Sequence, residues 1–133
     1  MRIKFPLNKK RTQLGLISEP VIPIHVLTKY GYQQFDFLVD TGADCSIMPA
    51  SVAVDLNMDI MKLPRIHFTG IECGNVVAYM TKINVKITGT PIDLTCALSS
   101  QEKTPFILGR KDLFEKFNIL FDNKNELIKF IRF

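Results

Sequence analysis

Phe35-Asp36-Phe37-Leu38-Val39-Asp40-Thr41-Gly42-Ala43-Asp44 is the stretch from which the rest of the chain can be read. The run from Phe35 to Val39 has the composition of a buried strand, and it ends on a carboxylate inside a sharp, Gly-containing turn. Such a place is costly for a charge. A carboxylate held there is paired, hydrogen-bonded by the amides of its own turn, or kept for its chemistry.

Working outward, Val21 to Leu27 reads as the antiparallel partner, with Pro20 and Pro23 arguing for an edge or end position. Tyr30-Gly31-Tyr32 is the expected turn, and Gln34 to Val39 the returning strand that delivers Asp40. Beyond it, Ile47 and Met48 stay apolar, and Pro49 to Leu56 has the composition of a short helix. Arg65 to Phe68 opens a hairpin whose tip is Thr69-Gly70-Ile71-Glu72-Cys73-Gly74-Asn75, a glycine-bearing loop expected to be mobile. Val77, Tyr79, Thr81, Ile83, Val85 and Ile87 alternate, predicting one long strand with these residues on one face. Ile92 to Leu98 and Phe106 to Leu108 are further strands. Arg110 to Phe117 has the spacing of a short helix, and Ile119 to Phe121 with Leu127 to Phe133 form a last hairpin around Asp122-Asn123-Lys124-Asn125. The expected class is mostly β, closed or sandwiched, with one or two short helices.

The 133 residues, 47% of them hydrophobic, suit one folded domain. No apolar run approaches the ~20 residues that span a bilayer, and Met1 to Pro6 lacks the apolar stretch of a secretory signal. A membrane is not expected among the partners. Three cysteines argue against a disulfide framework and for a reducing, cytoplasmic setting. The net charge is +4, and its one cluster, Lys9-Lys10-Arg11, lacks interleaved aromatics. It reads as a solvated basic loop, so nucleic acid is not an expected partner.

Each residue type in Asp40-Thr41-Gly42 suits a reactive turn. The carboxylate takes or gives a proton, the Thr41 hydroxyl bonds sideways, and Gly42 lets backbone come close. A lone Asp near its ordinary pKa of ~3.9 is ionised at neutral pH and has no partner acid. Two carboxylates side by side share one proton, because like charges cannot both ionise. None of Asp36, Asp44, Asp55, Asp59, Asp93, Asp112 or Asp122 is followed by Thr-Gly or Ser-Gly. A second copy of the chain is the simplest donor, which gives a two-fold dimer with one Asp40 from each subunit.

Phe37 to Asp44 resembles the active-site strand of the retropepsin-like (retroviral-type) aspartic proteases. Phe106-Ile107-Leu108-Gly109-Arg110-Lys111-Asp112-Leu113 is similar to that family's second signature, and the glycine-bearing tip between them lies where the family carries its flap. The resemblance runs from about Pro20 to the C-terminus, leaving 1–19 as an N-terminal extension and 20–133 as the protease domain. It implies a closed, β-barrel-like fold that is half of a two-fold dimer, acting as an aspartic endopeptidase. By matched position, Asp40 is the implied catalytic residue, Thr41 bonds across the dimer axis, and Gly42 completes the catalytic turn. Ala43 and Asp44 line the substrate cleft, Arg110 pairs with Asp44 beside Gly109, and Thr69, Gly70, Ile71, Glu72, Cys73 and Gly74 close over the peptide. No metal or organic cofactor is implied. Glu72 and Cys73 make the tip bulkier than the viral pattern, and the helix after the active-site turn reads as better developed, which fits a cellular or prokaryotic member as well as a viral one.

Other readings stand beside this one. Asp40 could be a turn aspartate satisfying its own loop, and Asp44 and Arg110 could be independent surface charges. Cys45, Cys73 and Cys96 read as small buried residues, since no local signature ties them to His25 or His67 as a nucleophile pair or zinc site. A dimeric peptide-binding or assembly module without proteolysis is the alternative function. Ile3 and Phe5, like Ile128 and Phe130, alternate with outward positions, so both ends are expected to form strands.

Overall fold

The computed structural model describes residues 2–70, 74–87 and 89–133. It is built almost wholly of strands: β1 (Arg2–Pro6), β2 (Asn8–Thr12), β3 (Gly15–Glu19), β4 (Val21–Thr28), β5 (Gly31–Val39), β6 (Ser46–Pro49), β7 (Arg65–Gly70), β8 (Gly74–Lys86), β9 (Pro91–Ser99), β10 (Ile107–Leu108), β11 (Phe117–Asp122) and β12 (Leu127–Arg132). No helix among the described residues is long and apolar enough to cross a membrane.

Seven strands form one sheet in the order β4-β5-β10-β6-β9-β8-β7. An additional pairing of β4 with β8, His25 opposite Lys86 and Val26 opposite Val85, closes six of them into a hydrogen-bonded ring. Pro23 lies on β4 outside that short second ladder, so its missing N–H costs the ring nothing. The mostly β expectation holds. A three-stranded sheet, β1-β12-β11, joins the two ends of the chain. Of residues 1–19, β1 therefore belongs to the body, with Phe5 and Leu7 in the core, while β2 and β3 make a separate hairpin. Lys9-Lys10-Arg11 is strand and not loop.

Two hairpins turn by the same device. The Thr12 and Thr28 hydroxyls each accept the amide two residues on, from Leu14 and Tyr30, and donate to the carbonyl of the glycine three residues on. Gly15 and Gly31 take φ of 95° and 92°, which only glycine adopts cheaply. The tip after β4 is thus Lys29-Tyr30, one residue earlier than the expected Tyr30-Gly31-Tyr32.

The core is one apolar cluster in which Ile22, Ile24, Val26, Phe37, Met48, Leu94, Leu98, Leu113, Ile128 and Phe130 are fully buried. Edge-to-face contacts of Phe130 with Phe5 and Phe117, at 5.6 and 5.7 Å between ring centres, tie the three strands of the terminal sheet together on their core-facing side. A smaller cluster of Cys45, Ala78 and Ala97, with Ile47, Ile66 and Met80 packed against it, uses the alternate residues of β6, β8 and β9 and so lies on the other face of the sheet.

The two expected helices do not form as helices. Ala50–Ala53 is a single 3-10 turn, followed by Asn57 at φ 58°. From Arg110 to Phe117 the amides of Phe114 and Phe117 reach back four residues, but Asp112 sits at φ 67°, which breaks the helical path. Asp112 is held there by Thr95, whose amide and hydroxyl donate to its Oδ2 at 2.7 and 2.6 Å. This tertiary contact overrides the local helical spacing.

Candidate active site

Strand β10 lies between β5 and β6, parallel to the first and antiparallel to the second. The Asp40–Cys45 turn therefore straddles it, and the two sequence motifs meet there. The Asp40 N–H donates to the Leu108 carbonyl at 3.0 Å, the Arg110 N–H to Ala43 at 3.0 Å, and the Lys111 N–H to Asp44 at 2.9 Å. On the strand leading in, Val39 donates to Pro20 and Leu38 to Phe106, both at 2.8 Å. The turn's backbone is thus fixed from both sides by main-chain bonds, which depend little on side-chain identity.

Gly109 sits at the crossing. A Cβ there would overlap the backbone of Cys45, so no other residue fits without moving one limb. Its N–H donates to the buried Ser46 hydroxyl at 3.1 Å. Ser46 was not singled out from sequence, although a hydroxyl six residues after Asp40 is the signal that could have found it.

Asp40 is partly exposed and accepts the Gly42 N–H on Oδ1 at 2.9 Å. The burial cost expected for this carboxylate is therefore small: Phe37 and Val39 are buried at the end of β5, and the turn brings the Asp40 side chain partly out. Thr41 and Gly42 are exposed and Ala43 partly so. Beside Thr41 a depression of about 260 Å³ is lined by Phe114, Phe117, Asn118, Ile119 and Phe121.

Asp44 and Arg110 are paired, not independent. Asp44 Oδ1 lies 2.5 Å from one guanidinium nitrogen, a single contact. The side chains are 90% and 48% exposed, so in the single protomer solvent weakens the pair. Asp112, two residues beyond Arg110, is the brace that sequence reasoning passed over. Burial pushes its pKa up, but the Thr95 hydroxyl and amide, with Lys111 and Lys82, outweigh that and hold it below the usual Asp value.

The flap candidate is only partly within the described residues. Strands β7 and β8 pair in register from Arg65 opposite Tyr79 to Gly70 opposite Gly74, which makes a long hairpin. Ile71, Glu72 and Cys73 lie outside the described residues. At the hairpin's base, Ile66, Ala78 and Met80 meet Cys45, Ile47 and Ala97 to form an apolar floor next to the Asp44 turn.

Cys45 and Cys96 are buried and unbridged. Burial raises the Cys45 thiol pKa and the nearby Asp44 carboxylate raises it further, and burial pushes that of Cys96 up strongly. A thiol so held stays protonated, the opposite of an activated nucleophile. No cluster of His, Cys, Asp or Glu among the described residues is arranged to hold a metal.

Against known proteins, the sequence profile described as "gag-polyprotein putative aspartyl protease" matches residues 28–113. No curated protein matches the chain. Among solved structures, a retropepsin-like aspartic protease from Rickettsia conorii superposes with a TM-score of 0.64 at 20% identity, over 97% of this chain and 98% of that one. EIAV protease complexed with the inhibitor HBY-793 superposes with a TM-score of 0.50 at 24% identity, over 69% of this chain and 82% of that one. These likenesses are at the level of fold.

Proposed function

Because this chain belongs to the gag-polyprotein aspartyl protease family and has the retropepsin-like fold, we propose that it is a homodimeric aspartic endopeptidase with one Asp40 contributed by each subunit. The observation that carries the reading is a single Asp-Thr-Gly turn, rigidly held by the second motif, whose Thr41 and Gly42 are exposed in the protomer. The turn is built as half of a site. The aromatic depression beside Thr41 supports the same reading, because a second subunit facing the turn would cover it.

Two Asp40 carboxylates brought together by a two-fold axis would share one proton, as the paired carboxylates of aspartic proteases do. The ionised member takes a proton from a water held between them as its oxygen attacks the peptide carbonyl carbon. The protonated member gives its proton to the carbonyl oxygen, forming a tetrahedral diol. Collapse of the diol breaks the C–N bond, and a carboxyl proton passes to the leaving nitrogen. No metal or organic cofactor enters.

Gly42 completes the turn, and the Thr41 hydroxyl bonds to the partner subunit across the axis. Ala43 and Asp44 line the cleft, supported by Gly109 and Arg110. The segment Thr69, Gly70, Ile71, Glu72, Cys73 and Gly74 closes over an extended peptide, pairing with its backbone. Ile47 and Ile66, partly exposed over the buried Cys45 and Ala97, receive an apolar side chain of that peptide. Two buried, unbridged thiols fit a reducing compartment, and we assign the protein to the cytoplasm.

The test is Asp40→Asn in the full chain, assayed against a mixed peptide library. The variant keeps the circular dichroism of the parent and loses cleavage. Cleavage at the parent rate would remove Asp40 from the chemistry, and peptide binding by the parent without hydrolysis would mark a binding module instead.

A further inference from the structure

The hairpin β2–β3 has no part in this site, and we propose that it is an arm by which the protein seats on a membrane surface carrying anionic lipids. It is a two-stranded sheet by itself, and such a ribbon has no core of its own. All of its strand residues except Thr12 and Glu19 are exposed. At its free end Leu14 is 89% exposed, Leu16 60% and Ile17 44%. Three large aliphatic side chains exposed within four residues are too concentrated to be incidental surface.

Much of the charge lies there too, with Lys9, Lys10 and Arg11 on β2, while Arg2 and Lys4 stand on β1. Residues 1–19 hold five of the seventeen Lys and Arg but one of the thirteen Asp and Glu, so residues 20–133 balance at twelve of each and the whole net charge of +4 belongs to this end. The register sets Lys10 opposite Ile17 and Arg11 opposite Leu16, which pairs a cation with an aliphatic side chain on each face of the ribbon. Lys9 is committed to Glu126 at 2.8 Å, at the base. Lys10 and Arg11 make no ion pair among the described residues. Leu14 leads at the tip, and Leu16 and Ile17 follow level with Arg11 and Lys10, whose long aliphatic stems let their charges reach back, an arrangement that matches the layering of a lipid surface. The apolar tip enters the boundary of the acyl chains while the cations stay with the phosphates.

Two other occupants fit less well. Nucleic acid would be served by aromatic stacking, and residues 8–19 contain no aromatic. A second copy would bring an identical basic arm, and the two would repel. The absence of an apolar spanning segment removed the membrane from the expected partners, but a surface contact needs no such segment. The inference is independent of proteolysis.

The experiment is co-sedimentation of the full chain with vesicles of phosphatidylcholine, with and without phosphatidylserine. The parent protein partitions onto the phosphatidylserine vesicles, and added salt releases it. Lys10→Ala with Arg11→Ala weakens partitioning on the order of thirtyfold, and Leu14→Ser with Leu16→Ser by about tenfold or more, with circular dichroism unchanged. Equal binding to both vesicle types overturns the proposal, as does parent-like binding by both variants. It also falls if either variant turns a dimer into a monomer without vesicles, since the arm would then be part of a subunit interface.

Discussion

Gly109 and Cys45 touch through their backbones, with no room between them for even a methyl group. Gly109 belongs to the second motif and Cys45 directly follows the first, 64 positions apart in the chain, and their contact is what sets the Asp40 turn against strand β10.

Gly109→Ala forces one limb of the turn to move. Overpacking against side chains costs about 1–3 kcal/mol, and backbone yields less readily, so a loss of about 3 kcal/mol is expected in urea unfolding. A loss under about 1 kcal/mol would mean that the crossing is loose.

Asp112→Asn isolates a charge, since Asn tolerates the positive φ at this position. It should cost about 1–2 kcal/mol at neutral pH, because the amide and hydroxyl of Thr95 lose an ionised acceptor. The folded-state pKa of Asp112 lies below its unfolded value. Its contribution is therefore complete above the ordinary Asp value of ~3.9 and fades as pH falls through the lower folded value. The stability difference between parent and variant should shrink below about pH 4. A difference that grows on acidification would contradict this.

Thr41→Val removes a hydroxyl that is exposed in the protomer and makes no hydrogen bond there among the described residues. Stability of the protomer should change by less than about 0.5 kcal/mol. The dimer dissociation constant should rise on the order of tenfold, because symmetry removes the bond twice. Sedimentation equilibrium measures both species, and an unchanged constant would take Thr41 off the axis.

Asp44→Asn, Arg110→Met and the double variant form a thermodynamic cycle. With both side chains solvated in the protomer, the coupling should be at most about 1 kcal/mol, and salt should reduce it. A larger, salt-insensitive coupling would show that the pair is buried in the working assembly.

The strands and the two motifs were legible because each carries a local signal: alternation along β5, Asp-Thr-Gly at a strand end, Ile-Leu-Gly-Arg at another. The missed features are set by distant partners. The helix at 110–117 failed because Thr95 holds Asp112 at positive φ. The long strand expected from Val77 to Ile87 forms as β8, but the alternation does not tell that burial changes face along it. Val76 and Ala78 are buried in its first half, while Ile83, Val85 and Ile87 are buried farther on, because the strand serves two apolar clusters on opposite faces of the sheet. The β2–β3 hairpin was hidden because its Lys-Lys-Arg run carries no apolar alternation.

The central claim is that each chain holds half an active site, and mixing tests it most directly. Parent protein and Asp40→Asn are combined in equal amounts at fixed total concentration, left to exchange subunits, and assayed for peptide cleavage. Random pairing leaves activity at about a quarter of that of the parent alone, since only dimers with two Asp40 residues work. Activity at about a half would mean that each chain carries a complete site, and would contradict the account.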